Sequence, residues 1–561
     1  MTTDKFSWDL TDIYINDNAF LSDLKTCHSN IEEFIIKFNP EFSEDNNVIY
    51  ILSEIENIYV HLNKLYSYAF LNLSKNSRGE KEQKNFQSIS NIYDRFDIEV
   101  IKIQHSIENY FRNNIDKLKK IKSEGKFLFY LNNLYSENNS LIYEKFSPKT
   151  EYQKLIYSEN SRGHIIYNDR IINLNYTNQL EYLTDDSAEL RNMTYNFFLE
   201  YYRSISLPIY YLYKLTLLNY NIQSQNKGYS NYYEMYGNTI LGNYMSVIIK
   251  RISYLTKIIN KIFVQQKTIT NLDMISYADL YYIENYSDIS IKISEAIDIV
   301  YNVFCSIDEK WGKLFLKIVD EKWIDWLPSI GKRQGGFSIN VYTVHPYILI
   351  NWDGHLDGIY ALGHEAIGAI LNYSSKHNEF SQSSHSILIT ELFSQYIEFE
   401  ITKYLKKTRK DLKNYLVKRE LIDFKDKVLM TLINSLFEMK CFSKSSEGEI
   451  SLGKINEYYY EATEKIFGNS ELFDNKIKNK YNWVAQGHIF TPFYDSSYTV
   501  VYFLAKYFSK KKYLTDRFLE IAKLGSKFSD DYIFSNYFNI SVQEFESIFM
   551  EVISEFKYKG E

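Results

Sequence analysis

Residues 356–371 read LDGIYALGHEAIGAIL, a helical pattern that contains the pair His364-Glu365. In a His-Glu-x-x-His metal site the two histidines stand at i and i+4. At about 100° per residue they lie only about 40° apart around the helix, so both imidazoles face one ion. The glutamate at i+1 points to the side, where it can deprotonate a metal-bound water. Here the run is His364-Glu365-Ala366-Ile367-Gly368, and glycine has no side chain to offer. A His-Glu dipeptide alone carries little weight in a chain with 10 histidines, because chance supplies it.

Working outward, a second helix begins near Ile387 and carries Glu391 and Glu398. The distance from His364 suits a helical hairpin whose second member returns past the first, and the polar run Asn372–Ser386 separates the two helices. On the N-terminal side, residues 327–353 break the helical pattern. Gly331, Gly335, Gly336, Pro328 and Pro346 punctuate short β-branched and aromatic runs. Two short strands are expected, roughly over 335–342 and 346–352. Such a small sheet could dock an extended peptide by strand addition, and it could equally be a hairpin that closes a loop. Farther on, WVAQGHIFTPFYDSSY holds Trp483, His488, Tyr494 and Tyr498. Histidine and tyrosine suit hydrogen-bond donation to a developing oxyanion, and they also suit an aromatic core patch.

The rest of the chain reads as helix. Six prolines and 20 glycines in 561 residues are few, and both avoid helix interiors. Apolar stripes recur at helical spacing: Ile51, Ile55, Ile58, Tyr59 and Leu62; Leu190, Met193, Phe197 and Phe198; Ile293, Ala296, Ile297, Val300 and Phe304. The tail from about Asp516 to Lys557 continues the pattern, and no repeat or Pro/Gly/Ser linker interrupts it. Net charge is −7 with no basic stripe, which argues against a nucleic-acid partner. Cys27, Cys305 and Cys441 lie far apart, without a CxxC pair, so a disulfide framework is not expected. The opening MTTDKFSWDLTDIYINDNAF lacks the basic and apolar regions of a signal peptide. No run of about 18 apolar residues suggests a membrane span. A cytoplasmic location is expected.

Several ordered segments resemble the oligoendopeptidase F group of the thimet oligopeptidase family of zinc metallopeptidases. They are WDLTDIY (Trp8 to Tyr14), ADLYYIE (Ala278 to Glu284), GKRQGGFS (Gly331 to Ser338), PYILINWDGHLDGIYALGHE, and TELFSQYIE (Thr390 to Glu398). The resemblance implies a mainly α fold, an elongated helical metallopeptidase body with a deep central channel and a small β-sheet near the active site. It divides the chain into an N-terminal helical region, 1–185, and a metallopeptidase-like region, 186–561. It implies zinc as cofactor and short peptides as partners, with neither nucleic acid nor membrane. His364 matches the first zinc histidine, Glu365 the general base and Glu391 the zinc-binding glutamate. Glu398 matches a nearby acidic position. His488 matches a histidine thought to bind substrate and stabilise the tetrahedral intermediate, and Tyr494 and Tyr498 match tyrosines that follow it.

The departures cluster at the same place. Gly368 replaces the second zinc histidine, Leu371 a polar position, Phe337 a loop tyrosine, Ser496 another tyrosine, and Gln486-Gly487 the pair before the histidine. Two zinc ligands would remain where a catalytic ion normally has three. His355 lies on the opposite side of the helix from His364, whereas His377 and His385 could reach the site only if their connection folded inward. Three readings stay open: a peptide-binding homologue with hydrolysis lost or impaired, an active zinc endopeptidase with a rebuilt ligand set, and a non-catalytic scaffold.

Overall fold

Helices make up most of the described residues of the computed structural model, and among these residues two short sheets interrupt them. It describes residues 6–38, 45–112, 114–123, 127, 131, 148–156, 162–175, 178–282, 290–468, 470–474, 479–511 and 515–558. Ile283 and Glu284, the end of the ADLYYIE segment, lie outside the described residues. The chain forms two compact units that alternate along the sequence. One comprises 1–139, 287–404 and 511–533; the other comprises 140–286, 405–510 and 534–561. Among the described residues no helix is long and apolar enough to cross a membrane.

The first unit opens with the helices Asp17–Lys37, Asp45–Lys75 and Glu80–Arg112. Asn16 starts the first of these, accepting the Ala19 N–H that the helix end leaves without a partner. The first apolar stripe holds: Ile55 and Leu62 are fully buried, and Ile51, Ile58 and Tyr59 pack on the same cluster. Burying each such large side chain is worth about 1.5–3 kcal/mol. The cluster also takes in Tyr347 and Leu349, so these helices cover a sheet.

That sheet has three strands, Ile324–Asp325, Phe337–Ile339 and Tyr347–Leu349, with the last in the centre. Phe337–Ile339 pairs with it antiparallel and Ile324–Asp325 parallel. The two expected strands are therefore present but shorter than the spans read from sequence. Ile324–Asp325 escaped the reading because a two-residue strand shows no alternation. The WDLTDIY segment lies on this sheet: the Trp8 ring meets Tyr347 edge-on at 6.2 Å, and the Tyr347 hydroxyl donates to the Asp9 carbonyl at 2.9 Å. Lys332 of the glycine-rich loop is buried. Its Nζ donates to Asp325 Oδ1 (2.6 Å) and to the carbonyls of Leu327 (2.8 Å) and Ile350 (2.7 Å), which ties the loop to the strands.

The second unit is built on the 39-residue helix Ala188–Asn226. Leu190 and Phe198 of its stripe are buried, whereas Met193 and Phe197 are half-buried. Arg191, inside this helix, donates to Asp279 Oδ1 from Nη2 at 2.7 Å, and both side chains are almost fully buried. The aspartate of ADLYYIE thus anchors a turn. A hairpin, Gly163–Tyr167 with Arg170–Leu174, adds a second sheet that the sequence reading did not include. Asn168 (φ 49°) and Asp169 (φ 59°) form its two-residue turn, and this Asn-Asp pair between Ile-rich runs was the available signal. Of the C-terminal motif, Trp483 lies on the short helix Asn482–Ala485, His488 on Gly487–Phe490, and Tyr494 and Tyr498 on Tyr494–Phe508, beside which stands helix Thr431–Ser445.

Candidate functional site

The helix read from residues 356–371 spans Asp357–Ser374, and its partner spans Ile387–Thr408. The two cross closely at Gly363, where a Cβ would lie 2.5 Å from Ile401 Cδ1 and 3.2 Å from Ile397 Cγ2. The Ser394 hydroxyl donates across the crossing to the His364 carbonyl at 3.2 Å. Glu391 and Glu398 are seven residues apart, about two turns, so both project from the same face toward His364.

The imidazole of His364 sits between these two carboxylates. Its Nδ1 pairs with Glu398 Oε1 at 2.8 Å, and its Nε2 lies 3.8 Å from Glu391 Oε2. Both glutamates are buried, while His364 keeps about a quarter of its side-chain surface (26%) exposed. Burial pulls the imidazole's affinity for a proton down. The Glu398 hydrogen bond and the charges of Glu365, Glu398 and Glu391 outweigh it and raise the pKa to about 9. Burial pushes the Glu365 carboxyl up to about 7; His364 and the Ser338 backbone N–H pull it down, and Glu391 and Glu398 push it up. The cluster is one imidazolium shared among three acidic side chains.

Sequence reasoning thus located four residues that the fold brings together: His364, Glu365, Glu391 and Glu398. An Nε2 turned toward a carboxylate, with Nδ1 held by a second carboxylate, is a common arrangement for a metal-binding histidine and its outer partner. The third donor is another matter. A Cβ at Gly368 would meet Ser338 Oγ at 2.6 Å and Ser338 Cβ at 3.7 Å. Ser338 belongs to the edge strand, so the space beside Gly368 is occupied by a hydroxyl. The histidines weighed as substitutes point elsewhere. His385 Nε2 lies 3.2 Å from the Ile521 carbonyl, and His355 and His377 are exposed. Among the described residues no group of three His, Cys, Asp or Glu side chains is arranged to hold a metal ion. His364 Nε2 and Glu391 are two donors, one short of the usual catalytic zinc set, so the residues present do not fit that ion.

The other departures fill space. Leu371 is buried, and Phe337 packs on Phe70 with ring centroids 5.2 Å apart. Ser496 is buried and donates to Ser435 Oγ at 2.9 Å.

His488, Tyr494 and Tyr498 meet in the second unit. The His488 ring lies 4.4 Å from that of Tyr494 and stacks on Tyr498 at 6.2 Å, and the two hydroxyls are 3.3 Å apart. Two further residues belong to this group and were absent from the reading. Asp495 Oδ1 accepts from His488 Nδ1 at 2.6 Å, and its Oδ2 accepts from Asn434 Nδ2 at 2.6 Å. Asp495 stands next to Tyr494 in sequence, which was a usable signal. Asn434 is 61 residues away and gave none. Helix Tyr494–Phe508 begins at Phe493, whose backbone is left-handed (φ 60°). That conformation is unfavourable for a bulky residue, and buried Glu438 holds it by accepting the Phe493 N–H at 3.0 Å.

A helical fold with paired carboxylates around a His-Glu helix defines the class, a metallopeptidase-type scaffold. Residues 260–532 match peptidase family M3. Oligopeptidase PepF of Bacillus subtilis is 21% identical over 93% of this chain and 81% of its own length. An oligoendopeptidase F homologue of Lactococcus lactis is 21% identical over 93% of this chain and 91% of its own. The crystal structure of oligoendopeptidase-F from Enterococcus faecium superposes with a TM-score of 0.64 at 13% identity, covering 96% of each chain. The chain is thus similar to peptidase family M3 over residues 260–532 and to oligoendopeptidase F proteins along nearly its whole length.

Proposed function

We propose that this chain binds short peptides and that its zinc-dependent peptide-bond hydrolysis is lost or strongly impaired. The observation that carries the reading is the pairing of Gly368 with Ser338: the position for the second zinc histidine has no donor, and a hydroxyl fills the space. In this reading His364 and Glu391 are the remaining metal donors, and Glu365 is a former general base. His488, Tyr494 and Tyr498, by the resemblance, are residues that contact peptide. Zinc would be held weakly, with water completing its shell. Residues 1–185 form the N-terminal helical region and 186–561 the metallopeptidase-like region. The protein acts in the cytoplasm, as suits three cysteines that are all free.

The test is a quenched-fluorescence peptide library, read with and without added zinc, beside a direct binding assay on the same peptides. The expected result is binding with negligible cleavage. Strong zinc-dependent turnover that Glu365→Gln abolishes would overturn the reading in favour of an active peptidase with a rebuilt ligand set. Neither binding nor cleavage would leave the scaffold role.

A further inference from the structure

The second unit holds a hydrogen-bonded chain behind His488 that determines which kind of group this histidine can recognise. Asp495 is 3% exposed, and its two oxygens are both engaged. Oδ1 faces His488 Nδ1 at 2.6 Å, and Oδ2 faces Asn434 Nδ2 at 2.6 Å. Asn434 Nδ2 also donates to Gln486 Oε1 at 3.1 Å, and Gln486 Nε2 donates to the Asn482 carbonyl at 3.3 Å. The amide orientation of Asn434 follows from this set: turned over, its oxygen would face the carboxylate of Asp495. The present orientation leaves Asn434 Oδ1 buried without a hydrogen bond, so the donation to Asp495 outweighs that cost.

A carboxylate only accepts, so the proton between Asp495 and His488 belongs on Nδ1. In the neutral ring the other nitrogen, Nε2, then carries a lone pair. The imidazole is about half exposed (53%), with Tyr494 and Tyr498 fixing the ring plane, and Nε2 is the nitrogen left for a ligand. We infer that Asp495 and Asn434 are positioning residues that hold His488 as its Nδ1–H tautomer, so that His488 Nε2 accepts a hydrogen bond from a backbone N–H of a bound peptide. This use of His488 rests on the peptide-binding reading above; the tautomer itself does not. It also replaces the donor role that the resemblance suggests for His488, because a neutral Nδ1–H ring has no proton on Nε2 to donate.

Two measurements test it on the full chain. In the first, histidine is labelled with 15N, the ring signals are recorded at mildly alkaline pH, and His488 is assigned by its loss in His488→Gln. The expected spectrum has Nδ1 protonated and Nε2 bare, and Asp495→Asn, whose amide can donate, shifts the proton to Nε2. A wild-type ring protonated on Nε2 overturns the inference with no folded variant of Asp495 needed. A tautomer that Asp495→Asn leaves unmoved, in a variant with wild-type circular dichroism, overturns it as well. In the second, a bound peptide is scanned with single amide-to-ester replacements, each deleting one N–H. One position is expected to lose about tenfold in affinity in the wild type and to lose nothing further in His488→Ala. A scan with no His488-dependent position overturns the acceptor role. No binding by the wild type in any form overturns the peptide reading instead, and the tautomer then stands or falls by its own spectrum.

Discussion

His364 and His488 use the same device to different ends. Each gives its Nδ1 to a buried carboxylate, Glu398 at 2.8 Å and Asp495 at 2.6 Å, and each keeps Nε2 for other work. Around His364 the surroundings are charged: two more acids, Glu365 and Glu391, press on one imidazolium. Around His488 they are aromatic, with Tyr494 and Tyr498 beside the ring and a neutral amide, Asn434, behind the aspartate. The first arrangement suits a cation shared with further donors, and its next donor is missing at Gly368. The second is complete without one. A metal site depends on its full set of donors, whereas a hydrogen-bonding site of this kind is self-sufficient.

The comparison can be broken most directly at Gly368. Gly368→His is expected to raise zinc content, by elemental analysis, from well under one per chain toward one. For the new Cβ only the Ser338 hydroxyl must rotate, since Ser338 Cβ at 3.7 Å is at ordinary contact distance. Gly368→His with Ser338→Ala removes that obstacle and should load more fully than the single change. Full zinc in the unaltered protein would contradict the contrast and point to a substitute ligand.

Next in size is the removal of His364 itself. His364→Ala removes the imidazolium that three carboxyl groups share and is expected to cost about 3–5 kcal/mol in urea unfolding, as when one partner of a buried pair is removed. His488→Ala should cost about 1 kcal/mol, because the half-exposed ring admits water to Asp495 once it is gone. Equal losses at the two positions would erase the distinction drawn here.

A third histidine supplies a control. His385 is half-buried, and its Nε2 pairs with the Ile521 carbonyl at 3.2 Å. Burial depresses its pKa to about 4, partly opposed by backbone hydrogen bonds. A depressed imidazole contributes stability above its unfolded pKa, near 6.5, and loses it as pH falls through about 4. His385→Gln should therefore remove about 3 kcal/mol of acid sensitivity between those values, seen as a shallower fall of unfolding free energy with pH. An unchanged pH profile would show that this histidine is more hydrated than its surroundings suggest.

Much of the molecule was legible in one dimension. The helix containing His364, its partner from Ile387, and the apolar stripes followed from period and composition, and the interruption at 327–353 from its glycines and prolines. Two of the three strands around that interruption were found; Ile324–Asp325 was too short to show a period. The hairpin at 163–174 was overlooked although Asn168-Asp169 marked its turn. Within the candidate site, Glu391 and Glu398 were readable because seven residues is two turns of one helix. Asn434 was not, because its link to Asp495 spans 61 residues and two helices.

By itself the sequence determined that His364 and Glu365 sit on a helix whose next matching position is Gly368, for that is arithmetic on a period of 3.6 residues. It determined equally that no side chain at 368 can bind a metal. Tertiary structure alone decided what stands in that space: Ser338 arrives from a strand 30 positions earlier, and only folding brings strand and helix into contact. It alone decided that Asp495 turns inward to meet His488 and Asn434, because hydrogen bonds between distant residues depend on where elements pack and leave no periodic trace in the chain.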